Sequence, residues 1–131
     1  MRAIEKQMLS AIYNRKDWRN SNTRVEVTYF AHGERVIERI NVFLHNNRIA
    51  QVTPDLVSIC DCGWQTPTTK SRLNALLREL CGAGIYQKNH TWYAHAIEEQ
   101  DWEIESSSIH HFVRGWLSCR STFNAASLAT V

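Results

Sequence analysis

The segment TPTTKSR, residues 66–72, carries the side chains of this chain that are best suited to hold an anion. If a helix begins here, its first backbone amides are unpaired and its dipole is positive, so phosphate or carboxylate groups are attracted. The hydroxyls and cations that could join them are Thr66, Thr68, Thr69, Lys70 and Arg72. No glycine-rich loop precedes the segment, which excludes a nucleotide-binding P-loop. The alternative is that the threonines cap the helix themselves and the bases are solvated.

A second group combines cations with an aromatic ring near the end of the first predicted helix: Arg15, Lys16, Trp18, Arg19 and Arg24. Arginine and lysine neutralise phosphates, and tryptophan stacks on unpaired bases, so the group predicts contact with nucleic acid. An ordinary solvated helix end, with Trp18 folded onto the core, is the alternative. The net charge of the whole chain is only +2, which is low for a dedicated DNA-binding protein.

An acidic stretch and an apolar helix face are the candidate surfaces for a protein partner. The acids are Glu98, Glu99, Asp101, Glu103 and Glu105, and the apolar side chains are Phe112 and Trp116. Such acids could meet a basic partner or imitate the charges of a nucleic acid. They could equally form a solvated edge strand that discourages aggregation. Homodimerisation through the same surfaces is a further option.

Neither a metal site nor a catalytic site is predicted. Cys60 and Cys62 have one residue between them, whereas paired zinc ligands usually have two to four, and no second cysteine pair follows. The thiols are expected to behave as small apolar side chains. No acid, base and nucleophile converge in the sequence, so we expect a non-enzymatic protein without a cofactor.

Composition places the chain among globular proteins of the cytoplasm. Of its 131 residues, 44% are hydrophobic and 21% charged, which suits one domain over residues 1–131 with a frayed tail at 120–131. No apolar run approaches the roughly 18 residues that cross a membrane, and no secretory signal is evident. The four cysteines are therefore expected to be reduced.

Hydrophobic periodicity predicts an α+β fold. Apolar stripes indicate helices over 3–16, over 67–81 and over 106–119, with leucines at offsets of 0, 3, 4 and 7 in the second. Thr66 or Thr68 would cap that helix before or after Pro67, and Gly82 would end it. Period-two runs separated by turn residues predict an antiparallel sheet of about five or six strands in meander hairpins. The three helices (N-terminal, central and C-terminal) are expected to pack on it.

One segment also resembles a known family. GWQTPTTKSRLNALL (63–77) is similar to a segment in a family of small uncharacterised phage proteins, which pairs it with phrases like IEKQMLSAIYNRKDW, NTRVEV and GIYQKNHTWY. The resemblance covers about residues 1–95 and ends before the acidic stretch. It implies a phage or mobile-element origin, and therefore the host-cell cytoplasm. By analogy, it implies binding to a nucleic acid or nucleoprotein complex, or inhibition of a host defence system such as CRISPR.

Overall fold

The computed structural model describes residues 1–95, 101–103 and 116–120. Along the chain the elements are α1 (Ala3–Tyr13), β1 (Trp18–Asn20), β2 (Thr23–His32), β3 (Arg35–Leu44), β4 (Asn47–Val52), β5 (Leu56–Ile59), α2 (Pro67–Cys81), β6 (Gly84–Lys88), β7 (Thr91–His95), β8 (Asp101–Glu103) and β9 (Leu117–Arg120).

The larger sheet has six strands in the order β1-β2-β3-β4-β5-β9, and every neighbouring pair is antiparallel. The first five strands follow chain order, so the predicted meander is confirmed. The strands β2 and β3 are the longest, and their outer halves extend past the ends of β1 and β4 as a two-stranded arm, residues 28–39.

Tight turns set the register of these hairpins. His45 and Asn46 both have positive φ, at 50° and 66°, which gives a two-residue turn between β3 and β4. The sequence predicts this turn one residue later, at Asn46 and Asn47, which lie between two strand-like runs and tolerate positive φ. The segment GIYQKNHTWYAHA also predicts a hairpin with its turn near Asn89 and His90. These two residues, with φ of 52° and 66°, form the turn between β6 and β7.

The helix α2 has the bounds that the sequence predicts. The Oγ1 atom of Thr66 accepts a hydrogen bond from the Thr69 amide at 3.1 Å, and Gly82 closes the helix at φ 64°. Leu73, Leu76, Leu77 and Leu80 are all buried. The helix α1 is three residues shorter than predicted, because Arg15 has φ 52° and turns the chain away from the helix.

One apolar cluster joins both helices to both sheets. It takes Met8 and Ile12 from α1, the leucines of α2, the inward side chains of the six-stranded sheet, and Ile85, Trp92 and Ala94 from β6 and β7. The strands β6, β7 and β8 form a separate three-stranded sheet, although we expected all strands in one sheet. Asn74 of α2 binds the first strand of this sheet: its side-chain amide accepts from Ile85 N at 2.6 Å and donates to Ile85 O at 3.2 Å.

The predicted C-terminal helix is wrong. Leu117–Arg120 is a strand that pairs with β5, and the described residues contain only two helices. Leu117 and Cys119 alternate inward with period two, and the free edge of β5 supplies hydrogen-bond partners, so sheet pairing outweighs the helical periodicity of the segment. The rest of that predicted helix, 106–115, and the tail 121–131 lie outside the described residues. No helix in the described part of the chain is long and apolar enough to cross a membrane.

Candidate nucleic-acid interface

The start of α2 is occupied largely by the protein's own side chains. Thr66 caps the helix, and its hydroxyl lies 3.0 Å from that of Thr69, which is buried. Of the predicted anion-binding residues here, Thr66 is exposed, Thr68 and Lys70 are partly exposed, and Thr69 and Arg72 are buried. The self-capping alternative therefore describes this helix end better than an anion site does.

Arg72 lies inside the protein rather than on its surface. Its Nη1 atom donates to Glu5 Oε2 at 2.7 Å, and its Nε atom donates to Thr23 Oγ1 at 3.0 Å. Ser71 also donates to Glu5 Oε2, at 2.6 Å, so α2 supplies two donors to this carboxylate of α1, and Arg72 links both helices to β2. Burial alone would raise the pKa of Glu5, but the hydrogen bonds from Ser71 and Arg72 outweigh it and hold that pKa below its ordinary value. Because Arg72 is buried and binds these internal partners, it is not available to an external anion.

A cleft of about 590 Å³ opens between the start of α2, the β3–β4 turn and the loop at 60–66. Trp64 stands at this cleft with 63% of its surface exposed. The buried Asp61 holds the loop by accepting bonds from Gly63 N and Gln65 Nε2, both at 2.9 Å. Most of the lining is apolar or neutral, and the carboxylate of Asp61 is directed into its own loop, so the cleft does not favour a phosphate.

The structure separates the predicted basic cluster into three places. Arg15 forms an ion pair with Glu38, Nε to Oε1 at 2.8 Å. Lys16 lines an open groove of about 510 Å³ between α1 and β1, and Trp18 is half-buried against the core. Arg19 and Arg24 remain together, as directly opposite residues of β1 and β2.

Arg19 and Arg24 belong to a larger basic surface on the six-stranded sheet. Their strand neighbours Trp18 and Val25 point into the core, so these arginines point to the opposite side, which we call the outer face. Register adds Phe43 of β3 beside Arg24, and a β-bulge between Val42 and Phe43 brings Arg48 of β4 opposite Phe43. From here on, the outer face means the part of that side between Arg39 and the β3–β4 turn: Arg19, Arg24, Glu26, Thr28, Phe30, Arg39, Asn41, Phe43, Arg48 and Gln51.

Three of these arginines lie over aromatic rings. The guanidinium carbon of Arg24 is 4.2 Å from the centroid of Phe43, and that of Arg39 is 4.2 Å from the centroid of Phe30. The guanidinium carbon of Arg48 is 5.4 Å from the centroid of Trp116. Trp116, which we expected on a helix, directly precedes β9 and lies beside Arg48. Stacking of this kind fixes the plane of a guanidinium.

The outer face also holds polar atoms without a partner in the described part of the chain. Arg24 Nε, Arg39 Nε and Asn41 Oδ1 are buried and accept or donate no hydrogen bond there. Glu26 Oε2 lies 3.8 Å from Arg24 Nε, which is too far for a hydrogen bond. Burial and the neighbouring Arg39 lower the pKa of Arg48, as expected where cations are crowded. A nearby anion would offset the crowding of these cations.

A small polar concavity of about 210 Å³ marks one end of the outer face. Arg19 and Arg24 form one side of it, and the β3–β4 turn forms the other with His45 and Asn46. Arg24 Nη1 reaches Asn46 Oδ1 at 3.4 Å. Two arginines on neighbouring strands, facing one concavity, suit a phosphate group.

The predicted partner surface is only partly visible. Asp101 and Glu103 lie in β8, at the edge of the three-stranded sheet as far as it is described. Glu98, Glu99, Glu105 and Phe112 lie outside the described residues. Within the described ranges, no three histidine, cysteine or acidic side chains are grouped as metal ligands are, and the four cysteines are free thiols.

Sequence reasoning missed Arg39, Arg48, Phe30 and Phe43 as site residues. The period-two pattern of β3 already places Arg39 and Asn41 on the side away from the core. The pattern of one strand does not show which strands lie beside it. The arginines of four strands come together only through that pairing.

These features define a small α+β protein whose described residues form two antiparallel sheets, two helices and an arginine-rich sheet face. The chain belongs to the Kyanoviridae Gp96 protein family, a phage family whose model matches residues 1–116. The expected phage origin is therefore confirmed, and the match continues past residue 95, where we expected the resemblance to end. Searches among curated proteins and among solved structures found no match.

Proposed function

We propose that this phage accessory protein is non-enzymatic and binds nucleic acid, alone or in a nucleoprotein complex, through its outer face. The observation that carries the proposal is the group of three arginines stacked on aromatic rings, with buried Nε atoms of Arg24 and Arg39 that lack acceptors within the described chain. Phosphate oxygens are acceptors of matching charge, and stacked arginines are common where phosphates are bound.

Local charge supports the same proposal better than net charge does. The outer face as defined carries Arg19, Arg24, Arg39 and Arg48 against the single acid Glu26. A cationic patch attracts a polyanion even when the remaining surface is balanced. A net charge of +2 therefore does not argue against binding.

A binding role without catalysis is consistent with the state of the thiols. The hydrogen bond with Cys60, together with burial, raises the pKa of Cys62, and burial with the nearby Cys119 raises the pKa of Cys81. Both are thereby kept as thiols near neutral pH, and the thiolate is the nucleophilic form.

The test is fluorescence anisotropy with labelled DNA and RNA at several salt concentrations. The double variant Arg24→Glu/Arg39→Glu is expected to bind at least about tenfold more weakly, because two attractive contacts become repulsive. Its matched control is Arg78→Glu/Lys88→Glu, which changes net charge equally at two exposed sites on α2 and β6. Equal loss in both variants, with folding verified by circular dichroism, would show that total charge rather than the outer face controls binding. No binding to any nucleic acid would reject the proposal.

A protein-directed function is the second candidate, favoured by the position of β8. Its acidic segment Asp101–Glu103 pairs with β7 and borders the described three-stranded sheet, where a partner strand can add. Inhibition of a host defence system, CRISPR included, would act through such a contact. Pull-down from host lysate with mass spectrometry, comparing wild type with Asp101→Lys/Glu103→Lys, tests it. A captured host protein that the variant loses supports this candidate, and identical captures reject it.

A further inference from the structure

We infer that the ligand of the outer face is single-stranded nucleic acid, laid across β2, β3 and β4, rather than a duplex. This inference rests on the proposed function and specifies its ligand. Three features of the described chain carry it: the orientation of the stacked arginines, the flatness of the face, and the small number of cations.

The first feature is the way in which the arginines are held. Arg24 and Arg39 lie over Phe43 and Phe30, so each guanidinium presents a flat surface instead of extending into solvent. A base that is free of pairing has an exposed ring that can continue such a stack, and base stacking adds to affinity regardless of sequence. The bases of a duplex are stacked on each other and offer no free ring to a flat surface.

The second feature is the shape of the face. Both helices contribute to the core on the opposite side of the sheet, so neither projects from the outer face. Duplex DNA is usually read by an α-helix or a two-stranded ribbon that enters the major groove. In the described chain, the arm (residues 28–39) is the two-stranded ribbon of a size that could enter a groove. At its tip, the fixed charges of Glu34 and Arg35 cancel, so the tip has little attraction for the phosphates that border a groove.

The third feature is the number and spacing of the cations. Arg39 is four residues from Phe43 along β3, which places the two stacks about 14 Å apart at the rise of an extended strand. Arg24, Phe43 and Arg48 occupy three adjacent strands, so this row is about 10 Å wide. Four arginines neutralise few phosphates, and a duplex-binding protein without base stacking depends on many. The concavity between Arg19 and Arg24 holds one phosphate at the end of the path.

The experiment compares ligands and variants in one anisotropy assay. The ligands are one DNA sequence of about 20 nucleotides, longer than a typical single-strand site, as a single strand and as a duplex, together with the equivalent single-stranded RNA. The key variant is Arg24→Lys/Arg39→Lys, which retains both charges but loses the planar guanidinium. Arg78→Lys is the control, since the same change is made at an exposed helix position.

Wild type is expected to bind one of the single strands at least about tenfold more tightly than the duplex, with a log–log salt slope of about −3 for four contacts. The lysine variant is expected to lose about tenfold in single-strand affinity with the slope unchanged, while Arg78→Lys has no effect. The two single strands together show whether the sugar matters, and preference for either over the duplex supports the inference.

Two results would overturn it. One is duplex binding as tight as single-strand binding, and the other is a lysine variant with wild-type affinity. Either result, combined with loss of binding in Arg24→Glu/Arg39→Glu, retains the proposed function and rejects only the single-stranded ligand. Failure of every nucleic acid to bind rejects both.

Discussion

The buried ion pair between Glu5 and Arg72 provides the most demanding test of the fold. The pair joins α1 to α2, and its side chains are 2% and 4% exposed. Glu5 also accepts bonds from Ser71 Oγ at 2.6 Å and from Arg2 N at 3.1 Å. Replacing Arg72 with methionine would leave the carboxylate buried with fewer donors, and replacing Glu5 with leucine would leave a buried cation.

Either single substitution is expected to lower the free energy of unfolding by about 3–5 kcal/mol, the usual cost of leaving one buried charge unpaired. With a urea m-value of about 2 kcal/mol/M, a loss of 3 kcal/mol lowers the unfolding midpoint by about 1.5 M. The double variant Glu5→Leu/Arg72→Met leaves no unpaired charge. It should lose much less than the sum of the single losses, because apolar pairs of similar volume often replace buried ion pairs at little cost.

The matched control is the partly exposed ion pair of Arg15 and Glu38. Its N–O distance of 2.8 Å is close to the 2.7 Å of the buried pair, but its side chains are 35% and 21% exposed. Arg15→Met should therefore cost less than about 1 kcal/mol. Distance and charge are nearly equal in the two pairs, so a difference in cost reflects burial and the additional donors to Glu5.

Acid titration gives an independent measurement on the same carboxylate. The folded pKa of Glu5 is below its ordinary value of 4.5, so its contribution to stability is complete above that pH and is lost as the pH falls through the folded pKa. Urea midpoints of wild type and Glu5→Leu should therefore converge below pH 4.5. Our reasoning about the pair is refuted if the single losses are below about 1 kcal/mol, if they add in the double variant, or if the midpoints stay equally separated in acid.

Two further predictions concern α2 and the thiols. Thr66→Ala removes the hydroxyl that accepts from Thr69 N, so the free energy of unfolding, measured with heat or urea, should fall by about 1 kcal/mol. Thr68→Ala, which lies outside the cap, should lower it by less. Equal losses would contradict the assignment of Thr66 as the cap. Cys62 and Cys81 have raised pKa values, so in the native protein both should react slowly with a disulfide reagent at neutral pH, and all four cysteines should react after denaturation. Rapid native labelling of either residue, located by mass spectrometry, would show that its thiol is more acidic and accessible than the structure indicates.

Local signals explain which elements the sequence could predict. The helix over 67–81 has a threonine cap, a proline after it, a leucine stripe and a terminal glycine, and all four act within the segment. The turn at Asn89 and His90 is equally local, because both residues tolerate positive φ. Short strands lack such signals. The strand Trp18–Asn20 has three residues of little apolar character, and it forms because β2 offers a partner edge.

The C-terminal strand shows how distant contacts override a local pattern. Leu117–Arg120 pairs with Leu56–Ile59, about 60 positions earlier in the chain. Ser58 and Ser118 face each other with their hydroxyl oxygens 2.8 Å apart. Nothing within residues 106–119 indicates this pairing, so a helix with Trp116 and Leu117 on one face fits the sequence equally well. The β5 edge decides between these two structures, and it lies outside any local window.

The same distinction explains the fate of the predicted site. A helix start displays its cations in sequence, but burial of Arg72 depends on Glu5 of another helix.

The outer face is the reverse case: each strand shows only one or two outward arginines, and their meeting depends on register. The bulge beside Phe43 changes the register of β4 by one residue and thereby places Arg48 opposite that ring. Because a one-residue shift moves a side chain to the other face of a sheet, Arg48 would point into the core without it. The basic surface is therefore a property of strand pairing, and substitutions that alter the turn at His45 and Asn46 should disturb it even though they remove no arginine.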